Sequence, residues 1–353
     1  MLLGKDYSEY KGLKENYGKY YELNEVLTNE ALADYSPEEI NDDVIREIIE
    51  NLDDPYAEYY TAAEYKQFRN RYDSSYVGVG ILIADSEEGA TIYGVIEEGP
   101  ADKAGVLAGD IIVAVDGEEV RDSDEATDAI SGEAGTEVTI TVRRDGENID
   151  YTMKRRRIEG KSVSSTVLDE DAGIGYIKIA SFISDTAGDF KLAVKDVKQQ
   201  GCNKVVIDLR DNGGGLTKQA YELADYLLPE CKIVTVVNKQ GEETIQNSKA
   251  SSAGIEYVLL VNGGTASASE IVTAAVQDNK GAKVIGTNTY GKGVTQRTYQ
   301  FKDGSAIKFT IEEYFRPNGD RVNGVGITPD IIVEDSTGTG RDAVLEAGIE
   351  ELR

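Results

Sequence analysis

The chain has 353 residues, 65 acidic and 37 basic side chains for a formal net charge of -28, and no histidine. That length suffices for two or three domains with their own cores, and the acidic excess argues against nucleic acid or an anionic membrane surface as a partner. Without histidine, a Ser-His-Asp triad and zinc sites built on imidazole are excluded. Cys202 and Cys231 have no metal-ligand spacing and build no framework; they read as buried thiols, with a single disulfide left open, and they fix no compartment. No apolar run is long enough to span a bilayer, and Met1 to Lys5 is too short for the apolar part of a signal peptide, so the chain reads as a soluble, mature or trimmed form.

Residues 1–72 are polar, rich in tyrosine and predicted to be helical. Ile40, Val44, Ile45, Ile48, Ile49 and Leu52 share one helix face, started by Ser36-Pro37-Glu38-Glu39 and stopped before Pro55. Such a stripe packs on a core or on a second protomer. From Ser75 to Arg157 short alternating strands take over: Val138, Ile140 and Val142 pair with Ile149, Tyr151 and Met153 around Asp145-Gly146, and Asp116-Gly117 marks another hairpin. Ahead of both, the run from Gly99-Pro100-Ala101 to Gly109-Asp110, followed by Ile111-Ile112-Val113, resembles a PDZ domain of the bacterial protease-linked kind. That resemblance implies a module that binds an extended peptide by strand addition and holds its terminal carboxylate on backbone N–H groups. The matching loop is Val77, Gly78, Val79, Gly80 and Ile81, whose glycines let the backbone close around a small anion; taken alone, the two glycines also suit an ordinary strand edge.

After Ile158 the pattern becomes mixed α/β. Gly175 to Ile179 is a predicted strand, Phe190 to Gln199 a helix and Lys204 to Arg210 a buried strand. Asp211-Asn212-Gly213-Gly214-Gly215 then leads into a helix with Leu216, Ala220, Leu223, Ala224 and Leu227 inside; this turn is neither G-x-G-x-x-G nor a P-loop, and its bare amides could serve as an oxyanion hole. Tyr257 to Val261 is a short buried strand, broken by Asn262-Gly263-Gly264, and Ile271 to Val276 continues as a helix. Ser267 therefore sits at a strand-to-helix turn, beside N–H groups that the first helical turn leaves unsatisfied. Ser267 and Glu270 also have the spacing of a capping box, so the serine needs a separate activating base before it counts as a nucleophile. With no imidazole, a lysine can serve if burial lowers its pKa from about 10.4 to about 7–8. Gly286 to Lys292 satisfies the first seven positions of a Walker A loop, but Gly293 stands where Ser or Thr would hold magnesium. Val294 to Phe301 alternates as a strand instead of opening a helix, which sets nucleotide hydrolysis aside.

Together with Leu52 to Tyr56, Asp208 to Gly214, Thr265 to Glu270, Thr289 to Gly293 and Gly324 to Asp330, these motifs resemble the carboxyl-terminal processing proteases, or tail-specific proteases, a serine-lysine family with an inserted PDZ domain. The resemblance implies an α+β multidomain fold: a crotonase- and Clp-protease-like α/β core with an inserted β-rich PDZ domain and an N-terminal helical region. The divisions expected are 1–72 helical, 73–157 PDZ, 158–335 protease core and 336–353 a C-terminal helical tail. It further implies Ser267 as nucleophile, Lys292 as general base, Gln296 as the residue that orients the lysine, and an oxyanion hole from Gly213 or Gly214 with the amide of Ala268. In a regular strand, residues 292 and 296 would lie roughly 13 Å apart, so the chain should bend at Gly293 or the lysine must reach back. The chain departs from the family's usual pattern in having Ala57 where Ser or Thr is common and Asp211-Asn212-Gly213-Gly214-Gly215 where a proline often precedes the glycines. The implied activity is cleavage of proteins with free apolar C-termini, without metal or cofactor, outside the cytoplasm in a bacterial periplasm or envelope. A homodimer through the N-terminal helices and an activating partner are also implied; a non-catalytic peptide-binding scaffold is the alternative.

Overall fold

A computed structural model describes residues 18–20, 22–29, 37–71, 75–86, 89–96, 99–144, 146–159, 162–249, 253–334 and 341–353. Ser36, Asp145, the segment from Met1 to Lys5 and residues 336–340 lie outside these. In chain order the elements are α1 (Pro37–Glu50), β1 (Glu58–Tyr60), α2 (Ala62–Arg71), β2 (Ser75–Gly78), β3 (Ile81–Ser86), β4 (Gly89–Val95), α3 (Pro100–Ala104), β5 (Ile111–Val115), β6 (Glu118–Glu119), α4 (Ser123–Ile130), β7 (Glu137–Arg144), β8 (Glu147–Lys154) and β9 (Arg156–Glu159). They continue as β10 (Val163–Asp169), β11 (Ile174–Ile179), α5 (Thr186–Gln199), β12 (Lys204–Asp208), α6 (Thr217–Leu227), β13 (Lys232–Asn238), β14 (Glu243–Asn247), β15 (Glu256–Val261), α7 (Ala268–Asp278), β16 (Lys283–Gly286), β17 (Val294–Gln300), β18 (Ala306–Phe315), β19 (Ile331–Ile332) and α8 (Ala343–Leu352). Among the described residues no helix is long and apolar enough to cross a membrane.

Two compact units emerge, residues 1–66 with 296–311, and residues 67–295 with 312–353. In the first, α1 runs from the proline at its first turn, where a missing N–H costs nothing. Its apolar stripe is only partly used: Ile49 is buried, while Ile48 and, just past the helix, Leu52 are 56 % and 46 % exposed. Arg46 holds the unit together, donating to both carboxylate oxygens of Glu64 at 2.8 and 2.7 Å and to the Tyr59 carbonyl at 3.3 Å. The strand β1 interrupts a region expected to be helical. Tyr59 and Tyr60 are buried there, paired antiparallel with residues 306–308 of β18, a partner too distant in sequence for local patterning to reveal.

The second unit contains two sheets with cores of their own. The antiparallel sheet β3-β4-β5-β7-β8 carries β6 beside β5, and its inner face is Ile92, Ile112, Val138, Ile140 and Val142. Asp116 (φ 49°) and Gly117 (φ 86°) make the expected β5-β6 turn, both with positive φ as a two-residue hairpin requires. The other six-stranded sheet runs β10-β11-β12-β15-β16-β19, parallel except for the β10-β11 pair. Both of its faces are covered. Ile207, Leu259 and Val261 pack with α5, α6 and α7, whereas Val206, Val258 and Leu260 pack with Val344 and Leu352 of α8. That is why these strands read as unbroken apolar runs; each fully buried side chain is worth about 1.5–3 kcal/mol. In addition, β13 pairs with β14 and with residues 312–315 of β18. Cys202 and Cys231 are both free thiols.

Candidate active site

The site follows from sheet topology. β12 and β15 are parallel neighbours, with Ile207 opposite Leu259 and Asp208 opposite Leu260, so the loops leaving their C-terminal ends emerge side by side. They are laced together. Leu209 N–H donates to the Leu260 carbonyl at 2.9 Å, Ala266 N–H to the Asn212 carbonyl at 3.0 Å, and the Thr265 and Ser269 hydroxyls to the carbonyls of Leu209 and Asn212 at 2.8 and 2.9 Å. The glycine-rich turn and the serine turn thus form one rigid block.

Ser267 occupies the last position before α7, with φ 56° and ψ -115°. A non-glycine residue in this region costs on the order of 1–3 kcal/mol and persists only when its surroundings over-determine it. Here they do. The Ser267 N–H donates to Glu270 Oε2 at 2.8 Å, its carbonyl accepts from the amides of Glu270 and Ile271 at 2.9 and 3.1 Å, and the Tyr314 hydroxyl lies 3.0 Å from the same carbonyl. Both halves of the predicted capping box are present. Because the Glu270 amide also has the Ser267 main-chain oxygen at 2.9 Å, the serine hydroxyl is not its only acceptor at the helix start.

Glu270 does more than cap. Its carboxylate is fully buried, at 0 % exposure, and Oε2 also accepts from Lys292 N–H at 2.8 Å, while Oε1 accepts from Gly291 N–H at 2.7 Å and the Thr289 hydroxyl at 2.6 Å. The Ser267 and Lys292 amides thus share one oxygen, each 2.8 Å from it, and can be no farther apart than twice that distance. Tyr314 adds a second tie, since its hydroxyl also touches the Lys292 carbonyl. Gly291 has φ 90° and no room for a side chain, a Cβ there falling 2.9 Å from the Gly326 nitrogen, so the loop can turn only with glycine at that point. The regular strand β17 begins at Val294, leaving Lys292 in the irregular loop before it. Two contributors were not visible in sequence: Tyr314, whose position on β18 depends on sheet register, and the reach of Glu270 to a loop some twenty residues away.

The glycine turn distinguishes its members. The Gly214 N–H is committed to Asn212 Oδ1 at 2.9 Å, and a Cβ on Gly214 would lie 2.9 Å from Ser267 Cβ and 2.9 Å from the Ala268 nitrogen. Gly213 stands in open space, and neither its N–H nor that of Ala268 has a hydrogen-bond partner among the described residues. The turn is anchored behind by fully buried Asp208, which receives Arg210 N–H groups at 2.7–3.1 Å and the Tyr176 hydroxyl at 2.7 Å. Burial works against the charged carboxylate, but the Arg210 hydrogen bonds and the Lys178 and Arg210 charges outweigh it and hold Asp208 below the usual carboxylate range. Arg210 continues to both oxygens of Asp342 at 2.8 Å, and Asp342 caps α8 by accepting from the Leu345 amide at 2.9 Å.

In the first unit, the Gln296 side-chain amide donates to Thr310 Oγ1 at 3.3 Å, and Thr310 in turn donates from its hydroxyl and N–H to Asp54 at 3.0 and 2.8 Å. In a separate two-stranded sheet, Val77 and Gly78 belong to β2, opposite Arg157 and Arg156 of β9. The turn proper is Val79–Gly80. The Val79 and Gly80 carbonyls accept from Ala101 and Ile96 at 2.9 Å each, Gly80 has φ 83°, and neither N–H of the pair has a partner among the described residues. Ile81 opens β3, which is an edge strand with α4 packed beside it.

Residues 173–333 match the model of peptidase family S41, and residues 91–144 match a PDZ domain. A protein of Staphylococcus aureus (strain bovine RF122 / ET3-1), described as a probable CtpA-like serine protease, is 34 % identical over 325 residues, covering 90 % of this chain and 65 % of the relative. A probable CtpA-like serine protease of Staphylococcus saprophyticus is 33 % identical over 328 residues, covering 91 % and 66 %. The chain thus spans about two-thirds or slightly less of these relatives' own length. Among solved structures, a photosystem II D1 C-terminal processing protease superposes with a TM-score of 0.54 at 28 % identity, covering 92 % of this chain and 91 % of that one. The α+β multidomain architecture and the PDZ module are those of this group.

Proposed function

From a chain that belongs to peptidase family S41 and carries a PDZ domain, we propose a serine endopeptidase that takes protein substrates by their free, apolar C-terminal tails and cleaves them through an acyl-enzyme. The observation that carries this reading is the shared Glu270 oxygen, which brings the strained Ser267 turn and the Lys292 loop into one hydrogen-bonded unit.

Lys292 accepts the Ser267 hydroxyl proton as Oγ attacks the scissile carbonyl carbon. The resulting oxyanion is held by the unengaged N–H groups of Gly213 and Ala268, the latter at the first turn of α7. Collapse of the tetrahedral species breaks the C–N bond, and the leaving amine takes the proton from Lys292. Water, deprotonated by the same lysine, then releases the acyl group from Ser267. Gln296, whose own amide is steadied by Thr310, fills the orienting role its family motif implies. In the PDZ module the unpaired Val79 and Gly80 amides suit a terminal carboxylate, and the open edge of β3 suits an added strand.

The reading extends to a homodimer, supported by apolar residues left exposed in the first unit: Leu23, Val26 and, on α1, Ile48. It includes an activating partner and a place outside the cytoplasm, in the periplasm or cell envelope of a bacterium. Matched peptides with free and amidated C-termini test the central part. The free form is expected to be processed and the amidated form poorly; equal turnover would overturn carboxylate recognition, and binding without product would mark a scaffold instead of an enzyme.

A further inference from the structure

The Gly324 to Asp330 motif supplies no group to the chemistry above, yet its first residues are bonded to the loop that carries Lys292. The Gly324 N–H donates to the Gly291 carbonyl at 2.8 Å, the Thr289 N–H to the Ile327 carbonyl at 3.2 Å, and the Asn288 side-chain amide to the Val325 carbonyl at 3.0 Å. Thr289 completes the join, since its hydroxyl donates to Glu270 Oε1 at 2.6 Å and accepts from the Ile327 N–H at 2.8 Å. The 322–327 turn, the 289–293 loop and the Ser267 turn therefore form one hydrogen-bonded block, and all lie in the unit of residues 67–295 with 312–353. Within these loops Val322 and Ile327 are fully buried, but Val325 and Tyr290 are 62 % and 63 % exposed. Their main chains are fixed all the same: the Val325 N–H donates to the Val322 carbonyl and the Tyr290 N–H to the Thr265 carbonyl, each at 3.0 Å. The two loops touch at this point, because a Cβ placed on Gly291 would fall 3.1 Å from the Val325 nitrogen. Single exposed apolar residues are ordinary on a protein surface, whereas these two share adjoining loops beside the proposed nucleophile.

We propose that Tyr290 and Val325 form a substrate subsite that takes an apolar side chain close to the cut bond, and so determine which bonds are cut. A substrate is the occupant because of where the loops are tied. The Gly291 and Ser267 amides sit on the two oxygens of one carboxylate, at 2.7 and 2.8 Å, and Tyr290 immediately precedes the first of them. An extended peptide advances about 3.3 Å per residue, so a chain seated on Ser267 has the residues flanking its cut bond within reach of both loops. Covering the exposed ring and the valine with a further apolar side chain is favourable in proportion to the area removed from water. Since the loops are fixed before substrate arrives, little ordering opposes the contact. Glycine or a charged side chain at that position gains nothing from it. The inference rests on the endopeptidase reading above and adds to it the chemistry of a residue beside the cut.

The test is cleavage-site profiling, in which the full chain digests a mixed peptide library and mass spectrometry locates the cut bonds. The parent is expected to prefer an apolar residue at one position within about three residues of the cut. In matched peptides, replacing that residue by glycine should lower kcat/KM about tenfold. The Tyr290→Ala/Val325→Ser double variant should bring the apolar peptide down to the level of the glycine peptide, while turning over the glycine peptide as the parent does. Tyr290→Phe keeps the ring and should keep the preference. An unchanged profile in the double variant would overturn the subsite. So would an equal loss on the glycine and apolar peptides, which would mark a structural role for the two side chains. If the parent cuts no peptide, the endopeptidase reading itself fails and the subsite with it, a result distinct from cleavage with unaltered selectivity.

Discussion

The two turns proposed to hold anions are built in opposite ways. The Asn212–Gly215 turn is bonded around Gly213: Asn212 ties Gly214, Ala266 and Ser269, and Phe182 exchanges main-chain hydrogen bonds with Gly214 and Leu216. The Val79–Gly80 turn is tethered by two accepting carbonyls and leaves both N–H groups to whatever arrives. The difference matches the charge each is proposed to meet. A developing oxyanion exists only in transit, so its donors must be in place beforehand; a carboxylate brings its own charge and chain, and can order the turn as it binds.

Breaking the rigid side should cost most. Glu270→Gln replaces a four-fold acceptor with a group whose NH2 end faces amide donors, leaving at least one buried N–H unsatisfied at about 1–3 kcal/mol. We expect kcat to fall by roughly a hundredfold with KM little changed, because the Ser267 and Lys292 loops lose their common anchor. Kinetics on a long and a short substrate would check this, and an equal rise in KM would point to a binding defect instead. Next, Gly214→Ala should lower kcat by about ten- to a hundredfold and also destabilise the fold, since its φ is 100° and the new Cβ would meet Ser267 and Ala268 at 2.9 Å. Gly213→Ala, with open space around it, should leave the melting temperature within a few degrees of the parent.

On the adaptable side, Gly80→Ala strains a residue at φ 83° and should raise KM for a free tail by a few-fold, on the order of 1 kcal/mol, with kcat unchanged. Amidated substrates should not respond. The smallest effect is with acid. Asp208 has a folded pKa below its unfolded value near about 3.9, so its pairing contributes fully above that pH and is lost as pH falls through the folded value. Denaturant midpoints should decline in that window, and Arg210→Met should move the decline to higher pH.

How much could be read beforehand depends on how local the cause is. Asp116-Gly117 announced its turn because a two-residue hairpin demands positive φ at both positions, and β12 and β15 announced themselves because a strand buried on both faces is apolar throughout. The break at Asn262-Gly263-Gly264 likewise located the Ser267 turn. The same reasoning saw only the near half of Glu270, its reach back to Ser267, because the other half depends on where the residue 289–292 loop folds. Choosing between Gly213 and Gly214 required the direction of individual amides, which composition and spacing do not encode. Strand β1 and the Arg210–Asp342 tie were hidden for the same reason, each being made with residues far along the chain.

The central claim is that Ser267, set beside the Lys292 loop, performs the cleavage. It is tested most directly by mass spectrometry of a loosely folded protein ending in an apolar tail, incubated with the parent chain or with Ser267→Ala. Fragments formed by the parent and reduced at least about a thousandfold by the variant are the predicted result. The same fragments at comparable rates from Ser267→Ala would contradict the assignment of Ser267 as the nucleophile.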